Sequence, residues 1–246
     1  MAGFFSKLFG GEPKPSAPFC SAVVAAAGSS LRMGGENKLL MFLDGIPVLI
    51  RSLLALDQSP EINEIVVVTR GEDIVEVGSL CKEYGISKPV RIVAGSDIRS
   101  KSVLCGVLEV SPKAGLIAVH DGARPLVTPE IIGAAVRKAA ECGAAAPAVP
   151  VKDTVKTAVD RRVTATPDRS FLFAVQTPQV FEAGLLKAAL QSAVTAGADL
   201  TDDCSAVERL GMSVMLTEGS EENMKITTPL DLALAEAILA WREEKK

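Results

Sequence analysis

Apolar and polar positions divide most of the chain into short apolar runs that alternate with longer amphipathic segments. Five runs are typical of strands, at residues 22–26, 65–69, 90–93, 115–119 and 145–149. Four segments have helical spacing of apolar residues and begin near Pro, Asp or Ser, as helices tend to, at 47–57, 73–84, 99–110 and 129–142. Because strands without polar alternation are covered on both faces, the pattern predicts an α/β fold with a doubly wound, mostly parallel sheet.

The alternation breaks after Pro150. Two extended runs rich in Val and Thr, at residues 152–159 and 163–166, are joined by Asp160, Arg161 and Arg162 and predict a protruding β-hairpin arm over about 151–170. An isolated two-stranded hairpin is marginally stable in water, so we expect the same arm of a second subunit to cover it in a homodimer. Residues 171–175 are expected to be buried. Helices are predicted again at 182–196, 202–210 and 229–242, with a strand near 214–216.

Composition narrows the class of protein. The sequence predicts a flexible tail over residues 1–18, and the alternative is that this tail docks weakly on a membrane or a partner. It predicts one domain over residues 19–246. The apolar part of the tail is too short to cross a membrane. A net charge of −4 does not favour binding to nucleic acid, which is itself negatively charged. Five widely spaced cysteines without a C-x-x-C pair indicate free thiols and a cytoplasmic location.

The first candidate site is the loop that follows the strand at 22–26. Small residues around Gly28 would let a polyanion approach the backbone, and Arg32 and Lys38 could hold its charge. The loop therefore favours a nucleoside triphosphate site. It lacks the G-x-G-x-x-G spacing of dinucleotide sites and the G-K-[ST] of a P-loop. A tight turn with exposed basic residues is the alternative interpretation.

Two further segments place charged residues near strand or helix ends. Asp121 follows the apolar run 115–119, where open α/β sheets bind ligands, and it could hold Mg²⁺ or instead cap a helix. Arg124 could grip a second anion. His120 is interpreted as hydrogen-bonded scaffold. Lys225 precedes the helix at 229–242 and could neutralise phosphate oxygens, and Arg169 lies where the arm returns to the domain.

Six motifs occur in a fixed order: V-V-A-A-A-G-x-x-x-R-M, V-H-D-G-A-R-P, P-V-K-D-T-V-K, Q-T-P-Q-V-F, T-D-D-C-S-A-V-E and N-x-K-I-T-T-P-x-D-L. Together they resemble the 2-C-methyl-D-erythritol 4-phosphate cytidylyltransferase family from about residue 20 to 241. The resemblance implies a Rossmann-like nucleotidyltransferase that uses CTP, methylerythritol phosphate and Mg²⁺ in the non-mevalonate isoprenoid pathway. It also implies that the acceptor phosphate attacks the α-phosphorus of CTP and expels pyrophosphate.

The resemblance also implies roles for single residues. Arg32, Lys38 and Lys225 would be catalytic, and Asp121 would hold the metal. Ala25, Ala26, Ala27, Gly28, Gly95, Ser96, Asp97 and Ser102 would bind the nucleotide. Arg124, Thr154, Arg169 and Thr177 would bind methylerythritol phosphate, with Thr154 and Arg169 supplied by the arm of the partner subunit.

The chain departs from the family pattern at two places. Ser30 stands where the family has Gly, which is a mild change because Ser can occupy the loop without a positive φ. Asn37-Lys38-Leu39 stands where the family has Pro-Lys-Gln, which bears on the orientation of Lys38. The alternatives are a cytidylyltransferase acting on ribitol 5-phosphate or the molybdenum cofactor, and a nucleotide-binding protein without activity. Lys38, Asp121 and Lys225 together with Arg32 favour an enzyme.

Overall fold

The structure is a computed structural model that describes residues 18–28 and 37–245. Its twelve strands are β1 Cys20–Ala25, β2 Phe42–Leu43, β3 Ile46–Pro47, β4 Glu64–Thr69, β5 Val90–Ala94, β6 Leu116–Asp121, β7 Ala144–Pro150, β8 Thr157–Val159, β9 Arg162–Ala165, β10 Phe173–Val175, β11 Gln179–Glu182 and β12 Met215–Glu218. Its seven α-helices are α1 Val48–Gln58, α2 Ile74–Glu83, α3 Arg99–Leu108, α4 Pro129–Cys142, α5 Ala183–Thr195, α6 Asp203–Glu208 and α7 Pro229–Glu244. The predictions for Arg32, Ser30 and the tail as far as residue 17 fall outside the described residues.

Eight strands form the central sheet, in the order β10-β7-β11-β6-β1-β4-β5, with β12 paired to β7. The pairs of β1 with β6, β1 with β4, and β4 with β5 are parallel, and so is that of β12 with β7. The strands β10 and β11 run antiparallel to their neighbours. The prediction of an α/β fold with a mostly parallel sheet is confirmed.

The apolar strands supply both faces of the sheet, which is why they lack polar alternation. Alternate residues of β1 belong to two different clusters of buried side chains: Ala22 and Val24 belong to one, and Val23 to the other. The first cluster includes side chains of α1, α2, α4 and α7, and the second includes those of α3, α5 and α6. Helices on both faces are the doubly wound arrangement.

Local capping explains where the helix α4 begins and ends. Thr128 accepts a hydrogen bond from the Ile131 N–H, Pro129 occupies the first turn, and Gly143 ends the helix with a φ of 86°. The helix has the bounds that the sequence predicts. No helix within residues 18–28 and 37–245 is long and apolar enough to span a membrane.

The arm is smaller than predicted, and the segment after it is more exposed. Its strands β8 and β9 cover only Thr157–Val159 and Arg162–Ala165, and residues 152–156 form no strand. The expectation that 171–175 is buried is wrong, because Phe171 is 81% exposed and Phe173 is 45% exposed. The sequence also did not predict β2, β3, β10 or β11.

Candidate active site

The candidate site is a cavity at the carboxyl edge of the parallel strands. Strands β1 and β6 end side by side, with Ala25 paired to Asp121, and β5 ends nearby at Ala94. This edge is where open α/β sheets bind ligands. The cavity has a volume of about 270 Å³ and is lined by Ala25, Ala27, Gly28, Lys38, Leu39, Ser96, Asp97, Arg99, Ser102, Asp121, Ala123 and Lys225.

Nine of the residues predicted for the site line this cavity, namely Ala25, Ala27, Gly28, Lys38, Ser96, Asp97, Ser102, Asp121 and Lys225. Ala26 is buried behind it, and its N–H donates to the Val68 carbonyl at 2.7 Å. Gly95 lines a neighbouring cavity of about 320 Å³ that shares Ala27, Ser96 and Asp97 with the first. The nucleotide side of the predicted site is therefore assembled in one place.

Asp121 lies at the centre of the positive charge in the cavity. Its Oδ2 is 2.8 Å from Lys225 Nζ and 3.8 Å from Arg124 Nε, and its Oδ1 is 3.4 Å from Arg99 Nη2. Burial opposes ionisation of Asp121, but the attraction of Lys225, Arg99 and Arg124 outweighs it and holds the pKa of the carboxyl well below its usual range. Asp121 is therefore a carboxylate at neutral pH.

Lys38 is oriented by the residues on either side of it. The Leu39 side chain is buried in the core, and Asn37 Nδ2 donates to Asp73 Oδ2 at 3.0 Å. Between these anchors, Lys38 Nζ donates to the Ile226 carbonyl at 2.9 Å, beside Lys225. The departure at 37–39 thus leaves the Lys38 ammonium in the cavity.

Ser102 and Gly95 shape the part of the site that is formed by the loop between β5 and α3. Ser102 Oγ accepts from the Ser96 N–H at 2.8 Å and donates to the Ser96 carbonyl at 2.7 Å, which closes the loop before α3. A Cβ atom at Gly95 would lie 2.6 Å from the Ala27 Cβ and 2.9 Å from Ser102 Oγ. Only glycine permits this close approach of β5 to the loop after β1.

Thr177 and His120 lie behind Asp121. Thr177 Oγ1 accepts from the Asp121 N–H at 3.1 Å and lies 3.0 Å from His120 Nδ1, while His120 Nε2 is 3.4 Å from the Arg124 carbonyl. Burial is the main cause that lowers the pKa of His120, to about 4. His120 is therefore neutral and serves as scaffold, in agreement with the interpretation from sequence.

The predicted acceptor residues are not brought together within one chain. Arg124 Nη1 donates to the Asn223 carbonyl at 2.7 Å, close to the cavity. Thr154 is exposed on the arm, and Arg169 Nη1 donates to the Lys152 carbonyl at 2.8 Å. Arg169 lines a separate cavity of about 500 Å³ along residues 150–152 and 168–170. Within one chain, Thr154 and Arg169 therefore do not line the cavity that contains Asp121.

Sequence reasoning missed two charged residues of the site. Arg99 lines the cavity, and its Nη2 contacts both Asp121 and, at 2.8 Å, Asp203 Oδ2. Asp203 belongs to the T-D-D motif that carried the family resemblance, but the motif alone gave this residue no role. The signal for Arg99 was its place two residues after Asp97, in a loop already assigned to the nucleotide.

A backbone cradle of small residues, an ionised carboxylate and surrounding cations at the carboxyl edge of a doubly wound sheet define a nucleotidyltransferase. Residues 20–241 match the family model described as 2-C-methyl-D-erythritol 4-phosphate cytidylyltransferase. The chain therefore belongs to the 2-C-methyl-D-erythritol 4-phosphate cytidylyltransferase family. The predictions of the family and of a nucleotidyltransferase enzyme are confirmed, and the alternative acceptors are not favoured.

Individual relatives agree with this membership. The chain is 44% identical over 226 residues to the 2-C-methyl-D-erythritol 4-phosphate cytidylyltransferase of Halalkalibacterium halodurans, covering 92% of this chain and 99% of the relative. It is 46% identical over 222 residues to that of Caldanaerobacter subterraneus subsp. tengcongensis, covering 89% and 98%. The crystal structure of 4-diphosphocytidyl-2C-methyl-D-erythritol synthase from Anaerococcus prevotii DSM 20548 is similar, with a TM-score of 0.82, 31% identity, and coverage of 91% of this chain and 97% of that one.

Proposed function

We propose that this chain transfers CMP from CTP to 2-C-methyl-D-erythritol 4-phosphate in the non-mevalonate isoprenoid pathway. The products are 4-diphosphocytidyl-2-C-methyl-D-erythritol and pyrophosphate. The observation that carries the proposal is the cavity at the carboxyl edge of the sheet, where Lys38 and Lys225 accompany the ionised Asp121. Family membership supplies the identity of the donor and the acceptor, and the cavity supplies the charges that the reaction needs.

The reaction brings two anions together. An oxygen of the acceptor phosphate forms a bond to the α-phosphorus of CTP, and the bond from that phosphorus to the bridging oxygen breaks, so that pyrophosphate leaves with the electron pair. Because the acceptor phosphate is already ionised, the step needs positioning and positive charge more than a general base. We assign that charge to Lys38 and Lys225, and by resemblance to Arg32, which lies outside the described residues.

Asp121 is the proposed ligand of Mg²⁺. It is ionised and lines the cavity, and residues 18–28 and 37–245 contain no group of three His, Cys, Asp or Glu that could hold a metal. One protein carboxylate suits an ion that takes its other oxygens from water and substrate phosphates, as Mg²⁺ commonly does. When bound, the ion would neutralise phosphate charge. Asp121 would hold it beside Lys225.

The two walls of the cavity are proposed to bind the two parts of the nucleotide. The backbone of Ala25, Ala26, Ala27 and Gly28 would contact the triphosphate, which small side chains allow. Gly95, Ser96, Asp97 and Ser102 would contact the ribose and cytosine, where short side chains and backbone groups can recognise the edge of the base. Arg124 would face the acceptor from the same subunit, and Thr177, which lies behind Asp121, is assigned to the acceptor by the resemblance.

The arm is proposed to complete the site of a second subunit. Phe171 and Phe173, at the base of the arm, and Val159 and Val163, at its tip, are all more than two-fifths exposed. Burying such side chains against a second copy would stabilise a dimer. Thr154 and Arg169 would then enter the partner's cavity and bind the acceptor phosphate. A cytoplasmic location is proposed as well, because all five cysteines are free thiols.

Pyrophosphate release tests the reaction. Purified protein with CTP and Mg²⁺ is expected to release pyrophosphate with methylerythritol phosphate and far less with ribitol 5-phosphate. Lys225→Ala should lower kcat by orders of magnitude, because its charge acts mainly in the transition state. Lys113→Ala, an exposed lysine just before β6 at the opposite edge of the sheet, is the matched control. Equal rates with both acceptors, or a normal kcat for Lys225→Ala, would contradict the assignment.

Mixing two inactive variants tests the shared site. Arg169→Ala lacks the arm cation, and Asp121→Asn lacks the metal ligand. In a mixed dimer, the arm of the Asp121→Asn chain would complete the cavity of the Arg169→Ala chain. Random exchange makes about half of the dimers mixed, each with one intact site of two, so about one quarter of the wild-type activity should return. If each arm served its own subunit, mixing would restore no activity.

A further inference from the structure

We propose that Arg99 is a phosphate-binding cation of the nucleotide site and that the buried Asp203 is the residue that positions it. This proposal rests on the proposed function, because it assumes that a triphosphate occupies the cavity. Arg99 is the first residue of α3, and its side chain is 30% exposed toward the cavity. Asp203, the first residue of α6, has no exposed surface.

One nitrogen of Arg99 joins two carboxylates at unequal distances. Nη2 is 2.8 Å from Asp203 Oδ2 but 3.4 Å from Asp121 Oδ1. The closer partner of Asp121 is Lys225, at 2.8 Å. Asp203 therefore holds the guanidinium, and Asp121 contacts it only weakly. If Asp121 accepts a divalent cation, Arg99 keeps its anchor and stays in the cavity.

The remaining donors of Arg99 are available to a ligand. A guanidinium has five N–H donors in a planar fork, which suits two phosphate oxygens at once. Within residues 18–28 and 37–245, Nη2 is the nitrogen of Arg99 that makes hydrogen bonds or ion pairs. Arg99 lines the same cavity as Ser96, Asp97 and Ser102, and its Nη2 also reaches Asp121 Oδ1. A triphosphate that occupies this cavity would meet the guanidinium.

The side chain of Asp203 is not the cap of α6, although its charge stands in the first turn of that helix. The cap of α6 is Asp202, which accepts from the Ser205 N–H at 3.0 Å and forms a capping box with that residue. Asp203 Oδ1 has no hydrogen-bond partner among the described residues, and the neighbouring side chains of Cys204 and Val207 are buried. A buried carboxylate costs several kcal/mol unless it is paired. Holding Arg99 is the function that explains this cost.

The ion pair between Arg99 and Asp203 could serve only to stabilise the contact of α3 with α6, or it could hold Arg99 ready to bind phosphate. Three variants distinguish these two roles. Arg99→Ala leaves Asp203 buried and unpaired, so we expect a lower Tm together with weaker CTP binding. Asp203→Asn keeps the shape but removes the negative charge that holds the guanidinium, and should weaken CTP binding with a smaller change in Tm. The double variant, Arg99→Ala with Asp203→Asn, removes both charges. Its Tm should return toward the wild-type value while CTP binding stays weak.

Calorimetric titrations with CTP and with cytidine, which has no phosphate, provide the decisive measurement in the absence of acceptor. One charge-assisted contact to phosphate corresponds to a loss of about ten- to a hundredfold in CTP affinity for the double variant, with little change for cytidine. Arg91→Ala, an exposed arginine on β5 that pairs with Glu109, is the control. An unchanged ratio of CTP to cytidine affinity in the double variant would overturn the inference. Wild-type protein that binds no CTP would instead contradict the proposed function.

Discussion

Replacing Gly95 by alanine tests the close packing of the nucleotide site. The new Cβ would lie 2.6 Å from the Ala27 Cβ, 2.9 Å from Ser102 Oγ and 3.1 Å from the Val68 Cγ1. The first two distances are shorter than side chains tolerate, so at least one neighbour must move. Neither can move freely: Ala27 follows Ala26, whose N–H is bonded to the Val68 carbonyl, and Ser102 is bonded twice to the Ser96 backbone.

Overpacking of this kind costs about 1–3 kcal/mol. If most of the strain is relieved by displacing Ala27 or Ser102, a similar free energy is lost from nucleotide binding. This loss corresponds to an increase of about five- to a hundredfold in the KM for CTP. We expect kcat to change less, because the atoms nearest to the new Cβ belong to Ala27, Ser102 and Val68 and not to Lys38 or Lys225. A lower Tm should accompany the higher KM, since strain that remains in the fold reduces its stability.

Gly78→Ala is the matched control. Gly78 lies inside α2, and a Cβ there meets the Ile92 Cδ1 at 3.5 Å, an ordinary contact. Alanine in a helix interior should raise the free energy of unfolding by about 0.5–1 kcal/mol without changing the KM for CTP. Steady-state kinetics and thermal unfolding of both variants provide the comparison. A Gly95→Ala variant with a wild-type KM and Tm would refute the reasoning.

Two further predictions concern residues outside the reacting centre. Asn37→Asp should lower kcat, because it sets a carboxylate against Asp73. Asn37→Asp combined with Asp73→Asn restores a donor and an acceptor and should recover activity. Additive losses of activity in this double-mutant cycle would disprove the coupling of the two residues. Iodoacetamide at pH 8 should label the exposed Cys142 in the native protein. It should not label Cys20 and Cys81, because burial raises their pKa to about 12 and about 11. Detection of label on either buried cysteine in the folded protein, by mass spectrometry, would contradict this prediction.

The regular elements were predictable because their cause is local. The helix at 129–142 carries its own start and stop residues, and the apolar strands indicate a sheet that is covered on both faces. The strand β11 was not predictable in the same way. Its residues Gln179–Glu182 run directly into α5, and only the tertiary fold shows that they separate β6 from β7. The local pattern of apolar residues does not indicate which strands pair with each other across the sheet.

Exposure was harder to predict than secondary structure. Phe171 and Phe173 are apolar, and apolar residues are normally buried in a single chain, so the sequence favoured burial. Their exposure shows that a local pattern cannot distinguish the inside of one chain from a surface that a second chain could cover. Asp203 is the opposite case, since a charged residue is normally exposed but this one is fully buried. Burial depends on partners that are distant in sequence, so neither the exposure of the two phenylalanines nor the burial of Asp203 can be derived from a local pattern.

The buried carboxylates explain how the protein keeps its cations in place before a nucleotide arrives. Lys38, Lys225 and Arg99 all line one cavity, where their mutual repulsion would favour moving apart. Asp121 offsets the charge of Lys225 from inside the cavity, and Asp203 offsets that of Arg99 from behind it. If a triphosphate binds here as proposed, it meets charges that are already oriented, so little reorganisation is needed at the moment of reaction. The two acids differ in their surroundings, because Asp121 lines the cavity, where the proposed Mg²⁺ would compete with Lys225 for its carboxylate, whereas Asp203 is fully buried against Arg99.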